Sequence, residues 1–291
     1  MKPLLLRQLS IALIGSLLLS SCQKEDINNQ ALTEADENLL HSWRGYVHTY
    51  NGPAVPLGNG FARSWYKVGK KGLPLEIGIE ISAATLGGLS NGNSNPIPEH
   101  ETIVLPLPAR ALQTTRFRHI GLNWNPNGHP PPGIFDPAHF DFHFYLISNQ
   151  ERLAIPAYSV NPDGFNNMPT GDYLPVGFGS PPGPAGAEPA MGRHLLQPHV
   201  FAPGFQFVKE MIYGSFNGKL IFVEPMITLD HLLSGAASTN PYGQPKFYSE
   251  PGFYPTVYKI WRDQKCGNHF ISLSEFRWFG ENCQNGAPRE N

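Results

Sequence analysis

Two runs of β-favouring residues, 205–216 and 219–227, meet across Asn217-Gly218. Both turn residues tolerate positive φ at little cost, so the pair suits the type I′ turn that closes two naturally twisted strands with a two-residue loop. A hairpin of this length is not stable alone and needs further strands to cover its apolar face. The chain supplies them at 65–68, 75–81, 103–107, 117–124, 140–147, 256–261 and 269–273, each bounded by Gly, Pro, Asn or Ser. Gly 30 and Pro 29 provide the turn chemistry between them. No internal repeat or heptad competes with this pattern. The expected fold is all-β, a sandwich or barrel of short strands with long Pro/Gly-rich loops and little helix. Segment 161–189 has no apolar period, and a loop of that length inside a domain is usually functional.

The first residues have a different character. Lys2 and Arg7 precede an apolar run, 9–19, that ends in Leu19-Ser20-Ser21-Cys22. The run is too short for an ordinary transmembrane helix, and small residues before a cysteine resemble the lipobox of bacterial lipoprotein signal peptides. That resemblance implies cleavage before Cys22, acyl chains such as palmitate on the new N-terminus, and a membrane as partner through the lipid anchor. Gln23-Lys24-Glu25-Asp26 is similar to the signal that sends some Bacteroidetes lipoproteins to the outer face of the outer membrane; a charged tether is the alternative. The expected organisation is a signal peptide over 1–21, a lipidated polar lead-in over 22–54 and one β-rich domain over 55–291. No second apolar stretch is long enough to span a bilayer. Lys plus Arg is 21 against 23 for Asp plus Glu, so there is no basic surplus to hold nucleic-acid phosphates. With Cys22 used for lipid, Cys266 and Cys283 remain in an oxidising compartment, which favours one disulfide, two unpaired thiols being the alternative.

Chemistry concentrates in one place. Along the strand at His139-Phe140-Asp141-Phe142-His143-Phe144-Tyr145, alternation puts His139, Asp141, His143 and Tyr145 on one face and the phenylalanines on the other. Imidazoles with a carboxylate on one strand face suit a divalent metal such as zinc, iron or manganese. His139 and His143 stand roughly 13 Å apart on a straight strand, so one ion reaches both only across a bend; Asp141 pairs with either more easily. The alternative is a polar row on an exposed sheet face. Two later residues extend the candidate shell: His194, just after the long loop, and Glu224, an acid in the apolar run 220–227. A buried acid must be paired, protonated or bound to a cation. A regular hairpin sets Glu224 opposite Met211 with Lys209 as its diagonal neighbour, so a Glu224–Lys209 ion pair competes with the metal. His129, in a Pro-rich approach, adds a further imidazole. No nucleophile elbow, phosphate loop or Cys-His pair is present. Trp65, Trp124, Tyr158 and Tyr173 offer a sugar platform, with core packing as the alternative.

The segments Gly128-His129-Pro130, 137–145, Met191-Gly192-Arg193-His194, 213–218 and 224–228 resemble a family of exported bacterial proteins defined only as a domain of unknown function. The resemblance covers about residues 55–275 and implies a β-barrel or sandwich of oligomeric secreted type, without an activity. This chain departs from it at Leu195-Leu196-Gln197. The combined expectation is an envelope lipoprotein whose domain holds a divalent metal through His139, Asp141, His143, His194 and Glu224, resembling a cupin-like site if catalytic. The competing expectation is a metal-free binding or assembly module, with a homo-oligomer, a small molecule or a glycan as possible partners.

Overall fold

A computed structural model describes residues 47–89, 102–180 and 183–280. Cys22, Lys24, Glu25, Asp26 and Cys283 lie outside the described residues, as does the whole leader. Cys266 is exposed and forms no disulfide among the described residues. No helix there is long and apolar enough to cross a membrane.

The strands, in chain order, are β1 His48–Asn51, β2 Val55–Leu57, β3 Gly60–Val68, β4 Pro74–Ile81, β5 Ile103–Pro106, β6 His119–Asn125 and β7 His139–Tyr145. They continue as β8 Ala187–Glu188, β9 Gly192–Leu195, β10 Lys209–Phe216, β11 Lys219–Thr228, β12 Ser238–Pro241, β13 Gly252–Arg262 and β14 His269–Phe279. They form two seven-stranded antiparallel sheets. The first runs β1-β3-β4-β14-β13-β12, with β2 also on β3; the second runs β5-β6-β7-β11-β10-β9-β8.

The sheets share one core. Ile77, Ile79 and Ile81 of β4 and Ile271 and Leu273 of β14 meet Phe140, Phe142 and Phe144 of β7 and Val223 and Ile227 of β11. The period-2 alternation read in the sequence thus has its expected meaning on both sides. Each buried phenylalanine contributes about 1.5–3 kcal/mol through the surface removed from water.

The second sheet differs from an ordinary half-exposed sheet on its outer face. All seven residues of β7 are buried, the polar row included, so the exposed-face alternative for that row is overturned. Two satellite cores lie over this face. Ile155, Phe165 and Met191 pack with Tyr145 and Phe222, and Phe135, Leu196 and Phe207 pack with Ile212 and Met226. The long loops are a third layer, and they turn an outer surface into an interior.

The 217–218 hairpin forms with Phe216 opposite Lys219, as the turn requires, but the register then slips at Gly214/Ser215. Gly214 faces Phe222 and Ile212 faces Glu224. Gly214 lies under the Phe222 ring, where a Cβ would collide with it. A one-residue slip reverses every side chain beyond it. Lys209 therefore goes to the other face, and the Glu224–Lys209 pair expected from a regular hairpin does not form.

Candidate metal centre

The central strands supply the fixed half of the site. β11 pairs with β7 so that Phe222 faces Tyr145 and Met226 faces Asp141, which places Glu224 across from His143. His139, Asp141, His143 and Glu224 are all buried, between 0% and 5% exposed. Peripheral segments bring the remaining candidate ligands. β9 pairs Gly214 with His194, and the loop after β6 turns back through Gly128, at φ 68, to set His129 beside His139.

These residues form two groups of three. In one, ligand atoms of His129, His139 and Asp141 all lie within 4.8 Å of one another; His143, His194 and Glu224 make the other. The five residues expected to share one shell are thus divided between two, and His129 completes the first. Both are pairs of imidazoles around one carboxyl group.

In the first triad, His139 Nε2 is 3.2 Å from Asp141 Oδ1 and His129 Nε2 is 3.5 Å from Asp141 Oδ2. Asn125 Nδ2 donates to Asp141 Oδ2 at 2.6 Å. His139 Nδ1 lies 2.6 Å from the Pro137 carbonyl and His129 Nδ1 2.7 Å from the Pro130 carbonyl. A carbonyl only accepts, so each Nδ1 carries a hydrogen, and Nε2 is the nitrogen that each ring turns toward Asp141. Backbone carbonyls orient metal-binding imidazoles in this manner. His139 Nε2 and Asp141 Oδ1 are buried without a hydrogen-bond partner. Burial pushes the Asp141 pKa up, but the facing His129 and His139 outweigh it and hold the carboxyl well below the usual range. Burial pulls His129 down, and Asp141 more than restores it, leaving its pKa raised.

The second triad has no such internal charge balance. His143 Nε2 is 3.3 Å from Glu224 Oε1, and His194 Nε2 is 3.9 Å from Oε2. The Gly186 carbonyl, 3.2 Å from His194 Nδ1, again fixes the tautomer. Both nitrogens of His143 and Oε2 of Glu224 are buried without a hydrogen bond. Burial drives the His143 pKa down to about 3, while burial and the nearby Asp141 charge raise Glu224 well above its usual value. Without a cation this cluster is a neutral imidazole against a protonated acid. The walls are aromatic: Phe222 packs edge-on against His143 at 4.8 Å and near His194 at 5.5 Å, and Tyr145 stacks on His143 at 5.5 Å.

Both triads open onto one cleft of about 780 Å³, with Asp141, His143, Glu224 and Met226 as floor and residues 123–132 and 184–196 along its sides. His129 and His194 are the candidate ligands that solvent reaches, with side chains 33% and 15% exposed. Next to His194, the buried Arg193 donates to the carbonyls of Phe165, Gly183 and Ala185, to Asn166 Oδ1 and to Ser180 Oγ. It draws the 161–189 loop over the sheet. Neither that role nor the part of Asn125 was read from sequence. Asn125 carries a usable signal, since on a paired strand it faces the candidate ligand His139.

The aromatics considered as a sugar platform disperse. Trp65 lies against Trp261 and Phe270 on the first sheet, Trp124 against Phe140 in the cleft wall, Tyr158 near Phe165 and Tyr173 near Phe247. Compared with known proteins, the chain matches no family model, no curated protein and no solved structure. The resemblance to a family of unknown function stays a proposal, and function is argued from the site itself.

Proposed function

We propose that this protein binds two divalent metal ions, one in each triad, and presents them to the cleft with open coordination positions. The carrying observation is in the second triad, where two imidazoles and a carboxyl converge while His143 Nε2 and Glu224 Oε2 are left buried without hydrogen bonds. A cation at that point satisfies every one of these atoms and draws the proton from Glu224. Two histidines and one carboxylate are a ligand set for zinc, iron or manganese, and three protein ligands leave room for water or a bound molecule. Bound metal would supply Lewis acidity or an activated water. Asn125 would hold Asp141, and the carbonyls of Pro130, Pro137 and Gly186 would hold His129, His139 and His194.

Elemental analysis of the full chain, purified without a His tag, tests this. Two ions per chain are expected, with Asp141→Asn and Glu224→Gln each losing one. A folded wild type that holds no metal and takes up none of the three ions leaves protonated His-carboxyl pairs, and with them the metal-free binding module.

For location, the leader supports export and attachment of Cys22 to a membrane by lipid, with display on the outer surface. Cys22→Ser should release the protein from membrane fractions, and replacing Lys24, Glu25 and Asp26 by Ala should reduce its cleavage by protease on intact cells. Unchanged fractionation refutes the anchor; unchanged cleavage refutes only the surface display.

A further inference from the structure

Resting on the two-metal reading, the cleft also carries information about what it accepts. We propose that it takes an uncharged, largely apolar small molecule that reaches a metal through an oxygen donor, and not a phosphate ester or a sugar.

The volume, about 780 Å³, is that of a pocket for a molecule of ordinary ligand size. Its lining is mainly apolar, with Trp124, Pro131, Phe135, Leu196, Phe201 and Met226 around the metal floor. Among the described lining residues there is no Lys or Arg. Phosphate sites ordinarily use such cations or a helix N-terminus, and here the acidic Glu188 also faces the cleft. A sugar needs side-chain partners for several hydroxyls. Of the three asparagines that line it, Asn123 is engaged with Thr102 and Asn125 with Asp141, which leaves Asn127 as the single amide side chain among the described lining residues for such hydroxyls. What remains is a greasy space ending in Lewis-acidic positions. Phe201 lies at its rim 51% exposed, an apolar side chain that the fold leaves uncovered.

Chelating probes of equal head group separate these classes. After metal content has been measured, cobalt-loaded full-length protein is titrated with octanohydroxamic acid, acetohydroxamic acid, inorganic phosphate and glucose, read by the cobalt visible spectrum and by calorimetry. The octyl probe should bind at least about tenfold tighter than the acetyl probe, because its added methylenes leave water for the cleft. Phosphate should bind more weakly than either, and glucose should leave the spectrum unchanged. Phe201→Ser and Trp124→Ala should reduce the octyl preference severalfold at unchanged metal content. If metal is bound but the two hydroxamates bind alike, or phosphate or glucose binds best, this ligand class is wrong and the metal sites stand. A protein that takes up no metal overturns both.

Discussion

Both sheets carry cross-strand acid–base pairs on their outer faces, and they resolve them in different ways. On the first sheet, Arg63 faces Glu80 and Lys67 faces Glu76 in register, with contacts of 2.6 and 3.0 Å. The bases are about one-third exposed, and each acid has a fixed cation beside it. On the second sheet, Asp141 and Glu224 lie deeper, and their ion-pair partners are histidines alone. A lysine or arginine brings its own charge wherever it goes; a buried histidine does so only if it keeps a proton. The first sheet balances its acids with permanent cations, whereas on the second Asp141 depends on titratable imidazoles and Glu224 is left beside a neutral one. That contrast, more than the count of histidines, separates a structural salt bridge from a candidate metal centre.

Removing the ion should have the largest effect. At free metal near 1,000 times the dissociation constant, binding to the native state alone stabilises by about 4 kcal/mol, so a chelator should lower the urea midpoint by a corresponding amount. No shift on chelation would put the second sheet on the same footing as the first.

Arg193→Met should cost about 3 kcal/mol, since it strands several buried acceptors. Limited proteolysis should then cut within 161–189. An intact loop would show that the covering layer holds without Arg193.

Acid should act on the second sheet through His119, which stacks on Tyr145 at 4.6 Å. Burial, aided by the Arg152 charge, brings its pKa from 6.5 to about 4. The unfolded chain therefore takes up the proton first as pH falls. The stability linked to His119 is complete above about pH 6.5 and is lost progressively down to about pH 4, amounting to about 3 kcal/mol. His143, held down to about 3, titrates over the same window, so His119→Gln should reduce the slope of a metal-free stability profile without abolishing it; an unchanged slope assigns the loss to His143 instead.

The smallest effects belong to the first sheet. Lys67→Met or Glu76→Gln should change stability by less than about 1 kcal/mol, and less still in high salt, because the pair is partly exposed. A loss as large as that from the chelator would erase the contrast between the two faces.

Which parts of this were legible in the sequence follows from the range of the forces. The Asn217-Gly218 turn is set by two residues' backbone freedom, and the division of β7 into phenylalanine and polar faces by the pleat; both were readable. The bulge at Gly214/Ser215 depends on Phe222 settling over a glycine, a cross-strand event, and without it Lys209 stays open as a rival partner for Glu224. All three residues of the second triad were readable as candidate ligands, but their separation from His139 and Asp141 into a group of their own was not. His129 was visible as an imidazole in a Pro-rich loop, but its docking against Asp141 is tertiary, as is the loop layer that buries β7. Aperiodic loops give no sign of what they will cover.

Each triad combines two ligands on neighbouring or shared central strands with a third on a loop or an outlying strand. On the two-metal proposal, an ion held by the two central ligands alone would be retained weakly, and closure of the 126–138 loop or of β9 would supply the third point. Occupancy and closure then become one equilibrium. Exchange of the proposed ions should then run at the rate at which the periphery breathes, however strong the chelator in the surrounding solution.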